Sequence, residues 1–196
     1  GGGFEITVNG KAYPFESRIS WPNGAFNRLA TGANANIQGE PAWTSRMTDS
    51  GDNWYEINAG GDHYTIHRRI DVLPTHVNVK DTYTNITNDD VGLLIYNQTP
   101  IDDSELTGSW LSGHEQRGRQ PELAVPDYGP TVFFTDANTG MGIVAMDDVY
   151  FVQAVPYVAW QDAAGVTTEK FALAAGNSYT VEWAVYPTGS RDYYDF

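Results

Sequence analysis

The chain of 196 residues contains no cysteine. That removes disulfide staples, thiol nucleophiles and thiolate metal sites together. Cations are scarce as well: 11 Lys and Arg stand against 25 Asp and Glu, a formal charge of −14. A field of that sign repels phosphate backbones and anionic bilayers, so neither nucleic acid nor membrane is expected as a partner. No apolar run approaches the ~20 residues that span a bilayer. Helical periodicity is missing, and so is any internal repeat. The sequence also lacks a Gly-x-Ser-x-Gly elbow, a phosphate-binding loop and a dinucleotide fingerprint. The opening Gly1-Gly2-Gly3-Phe4 is no signal peptide. The expectation is one domain, residues 1–196, excised from a longer multidomain chain.

What the sequence does have is alternation. In His63–Asp71, Tyr64, Ile66 and Ile70 fall on even positions, with Val72 after them, and His63, Thr65, His67, Arg69 and Asp71 fall on odd ones. A period of two marks a strand with one dry and one wet face. Val77, Val79 and Tyr83 repeat the pattern against His76, Asn78, Lys80, Thr82 and Thr84. With Leu73-Pro74-Thr75 as the turn, the two segments form an antiparallel hairpin, and Val91–Asn97 follows as a third strand.

Around this meander, Asn9-Gly10 announces a hairpin between Phe4–Val8 and Lys11–Phe15. Short strands are expected at Ala42–Met47 and Trp54–Asn58, then at Thr131–Thr135, Met141–Met146, Val149–Val155, Thr167–Leu173 and Tyr179–Tyr186. Residues 18–41 and 99–130 read mostly as loop, the second long enough to suggest function. The fold class is all-β, an antiparallel β-sandwich with little or no helix. A chain of this length buries roughly 70% of its unfolded surface and needs no staple. The closing stretch Tyr186–Phe196 breaks the strand pattern, stops on an aromatic cluster and reads as a domain boundary.

The pattern also sorts the tryptophans. Trp183 alternates with Val181 and Val185 and belongs to the core; Trp43 shares a face with Met47 and is expected there too. Trp160 is ambiguous. Trp54 lies beside Glu56 and Asn58 on the wet face, and Trp21 and Trp110 sit in Gly- and Pro-rich contexts. A wet indole offers a flat apolar plate with a polar N–H, on which a sugar ring can stack. The plain alternative is that each caps an end of the sandwich.

All four histidines, with Arg68, Arg69, Lys80, Arg117 and Arg119, lie between residues 63 and 119. Such a patch suits the carboxylate or sulfate groups of an acidic polysaccharide. The competing view is a solvated face offset by Asp62, Asp71, Asp81 and Glu115. His63 and His67 are about 13 Å apart along a strand, too far for one metal ion. Asp102, Asp103, Glu105, Asp136 and Asn138 are candidate oxygen ligands for calcium, although acidic turns of this kind also cap bends. For catalysis, only His114 and Glu115 combine a base and an acid in one loop, and adjacent residues seldom share a pocket.

Arg69-Ile-Asp-Val-Leu73, Val77-Asn-Val-Lys-Asp-Thr-Tyr-Thr-Asn85 and Val91-Gly-Leu-Leu-Ile-Tyr96 resemble the β-supersandwich domains of the galactose-mutarotase-like superfamily. So do Gly129–Phe134, Met141–Tyr150 and the closing Tyr186-Pro187 with Asp192–Phe196. That resemblance implies a supersandwich-like fold and a place beside glycoside hydrolases and polysaccharide lyases in secreted bacterial proteins, extracellular or periplasmic. The catalytic His and Glu of mutarotases match no motif here. The expectation is therefore a non-catalytic carbohydrate-binding or accessory domain, covalently linked to a catalytic domain and taking a polysaccharide or oligosaccharide. Trp54, Trp110 and Trp21 would stack sugars; His114, Arg117 and Arg119 would bind their polar groups; His67, Arg69 and Lys80 would line a second surface. The alternatives are a mutarotase-like epimerase, a polysaccharide lyase domain or a structural spacer.

Overall fold

In a computed structural model, residues 1–22, 24–32, 39–116, 122–123, 129–160 and 162–196 are described, Glu122, Leu123, Ala159 and Trp160 by their backbone alone. In chain order the strands are β1 (Phe4–Val8), β2 (Lys11–Ser20), β3 (Phe26–Leu29), β4 (Thr44–Gly51), β5 (Trp54–Gly60), β6 (Tyr64–Val72), β7 (Val77–Asn85) and β8 (Val91–Pro100). They continue as β9 (Gly108–Leu111), β10 (His114–Glu115), β11 (Glu122–Leu123), β12 (Thr131–Thr135), β13 (Gly140–Ala145), β14 (Val155–Trp160), β15 (Ala163–Leu173) and β16 (Ser178–Thr188). A seven-stranded sheet runs β1-β2-β8-β15-β14-β11, with β3 also on β2. A nine-stranded sheet runs β10-β9-β12-β13-β16-β7-β6-β5-β4. Every pairing between these strands is antiparallel, and the architecture is the expected all-β sandwich.

The central meander folds as its alternation dictates. Ile66 faces Tyr83, Ile70 faces Val79 and Val72 faces Val77, with turn residues Leu73 and His76 joined by a backbone hydrogen bond of 2.8 Å. Tyr64, Ile66, Ile70, Val79 and Tyr83 enter the core, where they meet Phe15, Ile95, Val166 and Trp183 from both sheets. The Asn9-Gly10 turn has both residues at positive φ, 49° and 80°, as a two-residue turn of this hand demands.

Several expectations do not survive. Of the strand expected at residues 149–155 only Val155, the first residue of β14, is in one: a helix, α1 (Asp148–Gln153), forms because the Asp147 side chain caps it, accepting from the Tyr150 N–H at 2.9 Å. The stretches read as loop contain β3, β9, β10 and β11, strands too short to show a period. Trp43 is buried, but Met47 is 62% exposed, because β4 is an edge strand with a bulge between Met47 and Asp49.

The largest departure is Arg68. It occupies an even position of β6, so the strand carries it inward, and it is fully buried. Asp81 stands directly opposite on β7 and is also fully buried. Arg68 donates Nε–H and Nη2–H to the two oxygens of Asp81, at 2.7 and 2.8 Å, and Nη1–H to the Gly2 carbonyl at 2.8 Å. It also donates to the Ser17 hydroxyl, which reaches the other sheet. Trp183 adds an N–H bond to Asp81 (3.2 Å) and an indole face 5.9 Å from the guanidinium. A lone buried cation would cost several kcal/mol, and this one is kept by paired, charge-assisted bonds. Burial would lower its pKa, but Asp81 outweighs that and raises it. Arg68 is therefore core, and neither it nor Asp81 belongs to a surface patch.

Candidate functional site

The outward face of the nine-stranded sheet has two unlike halves. On β5 to β7 and β16 it is polar and self-paired. Arg69 donates to Glu56 and Asp71, both at 2.9 Å, and its guanidinium lies 4.4 Å from the centre of the Trp54 ring. The same indole overlies Gly51, whose place a Cβ would fill only 2.4 Å from the indole nitrogen. His67 meets Asn58 at 2.8 Å, and Lys80 lies 3.3 Å from Glu182. Trp54, His67, Arg69 and Lys80 do share one face, as their parity predicts. Their acidic partners are Glu56 on β5, Asp71 on β6 itself and Glu182 on β16.

The other half is aromatic. Register places Glu115 (β10), Trp110 (β9), Phe133 (β12), Gly142 (β13) and Tyr186 (β16) side by side in one row. His76, beyond the start of β7, extends the row by stacking on Tyr186 at 4.6 Å and 17°. Phe133 points away from the core yet is fully buried, because the C-terminal turn lies over it. Tyr193 stacks on Trp110 (5.7 Å, 19°), and Phe196 stacks on Phe133 (5.4 Å, 13°). Gly142 supplies the gap that Phe196 fills, since a Cβ there would sit 2.2 Å from its ring. The aromatic terminus thus docks on this domain. Asp192 caps the turn by accepting from the Tyr194 N–H at 3.0 Å.

Between this turn and the β9–β10 hairpin runs a groove of about 560 Å³, lined by Trp110, Gly113, Glu115, Arg191, Asp192, Tyr193 and Tyr194. The hairpin closes with Ser112 and Gly113 at φ 50° and 80°. Trp110 is half-buried between Tyr193 and Phe133. Tyr194 is 91% exposed, its ring nearly perpendicular to that of Tyr193 (73°). Among the described residues Arg191 makes no ion pair, whereas Lys11, Arg28, Arg68, Arg69 and Lys80 all do. Sequence reasoning missed Tyr194 and Arg191. Nothing local marks them; they become a wall only because Phe196 finds Gly142.

The remaining predicted residues are scattered. Trp21 packs against the core and the His63 ring (5.9 Å), lying over Gly24 in its own turn. His63 leaves the sheet face: its Nδ1 is 2.6 Å from the buried Glu40 carboxylate, which also accepts from the Asp62 N–H at 2.7 Å. His114 and Glu115 pair with different residues of β9, Leu111 and Trp110, so they point to opposite faces of the hairpin. Arg117 and Arg119 lie outside the described residues, as does the Trp160 side chain.

The proposed calcium ligands meet protein donors. Lys11 donates to Glu105 at 2.6 Å and to Asp136 at 2.8 Å; Tyr13 donates to the same Asp136 oxygen at 2.7 Å. The other Asp136 oxygen takes the Asn138 and Thr139 N–H groups at 2.7 and 3.0 Å. Burial alone would raise this carboxyl, but the bonds from Lys11, Tyr13 and the backbone outweigh it and hold the pKa down to about 2. Asp102 caps a single turn at Asp103–Glu105 by accepting from the Ser104 N–H and hydroxyl, which lower its pKa. A cation there would have to displace Lys11. Among the described residues, no group of three His, Asp or Glu is placed to hold a metal ion.

No family model matches the chain, and no curated protein does. Among solved structures it is similar to one described as an aldose 1-epimerase from Escherichia coli K12, with 14% identity over 95% of this chain and 79% of that one and a TM-score of 0.45. It is similar to a polysaccharide lyase, with 10% identity over 91% of this chain and 26% of that one, TM-score 0.46. A heparan sulfate lyase mutant from Pedobacter heparinus gives 12%, 76%, 22% and 0.44 in the same order. Likenesses this partial assign no residue a role.

Proposed function

We propose that this domain binds carbohydrate, as a non-catalytic accessory module of a secreted bacterial glycan-processing enzyme, through the groove between the β9–β10 hairpin and the C-terminal turn. One observation carries the reading: Tyr194 holds a large aromatic ring 91% exposed, beside Trp110 and within a groove rimmed by Glu115, Arg191 and Asp192. An exposed ring has an apolar face to offer the C–H face of a sugar, while charged groups around it suit hydroxyls. The domain contributes affinity for the glycan, and a linked catalytic domain contributes the chemistry. His114 and Glu115 on opposite faces give an acid–base mechanism no common target.

Affinity electrophoresis over a panel of soluble polysaccharides tests this. At least one glycan retards the wild-type domain, and Tyr194→Ala, which removes a ring that is 91% exposed and meets Tyr193 at an edge, releases it with unchanged circular dichroism. Retardation that survives Tyr194→Ala would move the site elsewhere.

A further inference from the structure

The same groove holds a charge that the carbohydrate reading alone does not require. Resting on that reading, we infer that its ligand carries a carboxylate, as a uronic acid residue does, and that Arg191 is the group that selects it. Arg191 lines the groove together with Glu115 and Asp192, yet it bonds to neither. Asp192 is turned to its own task, accepting from the Tyr194 N–H. Arg191 is thus an exposed residue lining the same groove as the most exposed aromatic ring of the described residues, and the other charged residues of that groove, Glu115 and Asp192, are acidic.

A planar guanidinium matches a carboxylate with two parallel hydrogen bonds, which an ammonium cannot. Tyr194 would take the ring face of the sugar, and Arg191 the carboxylate on it or on its neighbour. The formal charge of −14 opposes dense polyanions, but its reach is cut to about 8 Å at physiological salt. Contact with Arg191 then decides between sugars, and sparse carboxylates are favoured over closely spaced ones. Because the pair stays wet, its effect is modest, about three- to fivefold in affinity.

The test uses a neutral oligosaccharide bearing a single galacturonate residue and the same oligosaccharide after carboxyl reduction, titrated calorimetrically into the wild type and the Arg191→Gln, Arg191→Lys and Tyr194→Ala variants. The acidic form binds the wild type about three- to fivefold more tightly, and the preference shrinks at 0.5 M NaCl. Arg191→Gln abolishes the preference but keeps the reduced sugar; Arg191→Lys restores only part of it. Equal affinity for both forms, or a preference untouched by Arg191→Gln, overturns the inference and leaves the groove standing. If neither sugar binds and no panel glycan does, the groove reading itself falls.

Discussion

Two single residues carry more of this fold than their surroundings suggest. Arg68 crosses the sandwich interior, and truncating it strands the Asp81 carboxylate without a cation in the core. Arg68→Met should cost about 3–5 kcal/mol in urea unfolding. Replacing both partners, Arg68→Met with Asp81→Leu, should cost clearly less, because no buried charge is then left alone. A single-variant loss under about 1 kcal/mol would contradict the pairing. Asp136 acts through protonation. Its folded pKa of about 2 lies below the ordinary 3.8, so its contribution is complete above the ordinary value and is lost as pH falls through about 2. That contribution is about 2 kcal/mol. Asp136→Asn should lower stability by about that much at pH 7 and flatten the fall between pH 5 and 2. Parallel wild-type and variant curves there would exclude this role. In the sequence Arg68 reads as part of the surface patch although parity sends it inward; only the cross-strand acid Asp81 makes that position tolerable for a cation.

Among the elements, β6 and β7 were read from spacing alone, since nine-residue strands with one dry face repeat their signal enough to be seen. β9 and β10, four and two residues long, repeat it too few times. The run 149–155 is apolar enough for a strand, and one capping carboxylate on Asp147 turned its start into a helix. The C-terminal turn was the least legible element, because its aromatic residues make sense only against Phe133 and Gly142 on distant strands. This gives a prediction at element scale. Gly142→Ala places a methyl group where the Phe196 ring lies and should lift the turn, with Tyr193 and Tyr194, off the sheet without substituting any groove residue. Glycan affinity should fall at least tenfold, with a red shift of Trp110 emission as Tyr193 leaves it. Unchanged affinity would show that the turn does not position Tyr194.

Taken whole, the molecule turns one sheet face into two surfaces by composition. Toward β5 and β6 the cations are spent on neighbouring acids, and the Trp54 plate is shared with Arg69 and Gly51. Toward β9 and β12 the residues are aromatic, and the chain's own end covers most of them. Trp54 and Trp110 were legible as outward-facing; what covers them was not, because parity reports a face and never its neighbours. The two surfaces make opposite predictions for where a sugar lands. A crystal soaked with mixed oligosaccharides decides between them. The account predicts a pyranose ring stacked on Tyr194, within reach of Arg191 and Glu115; a sugar held over Trp54 with the Tyr194 groove empty would contradict it.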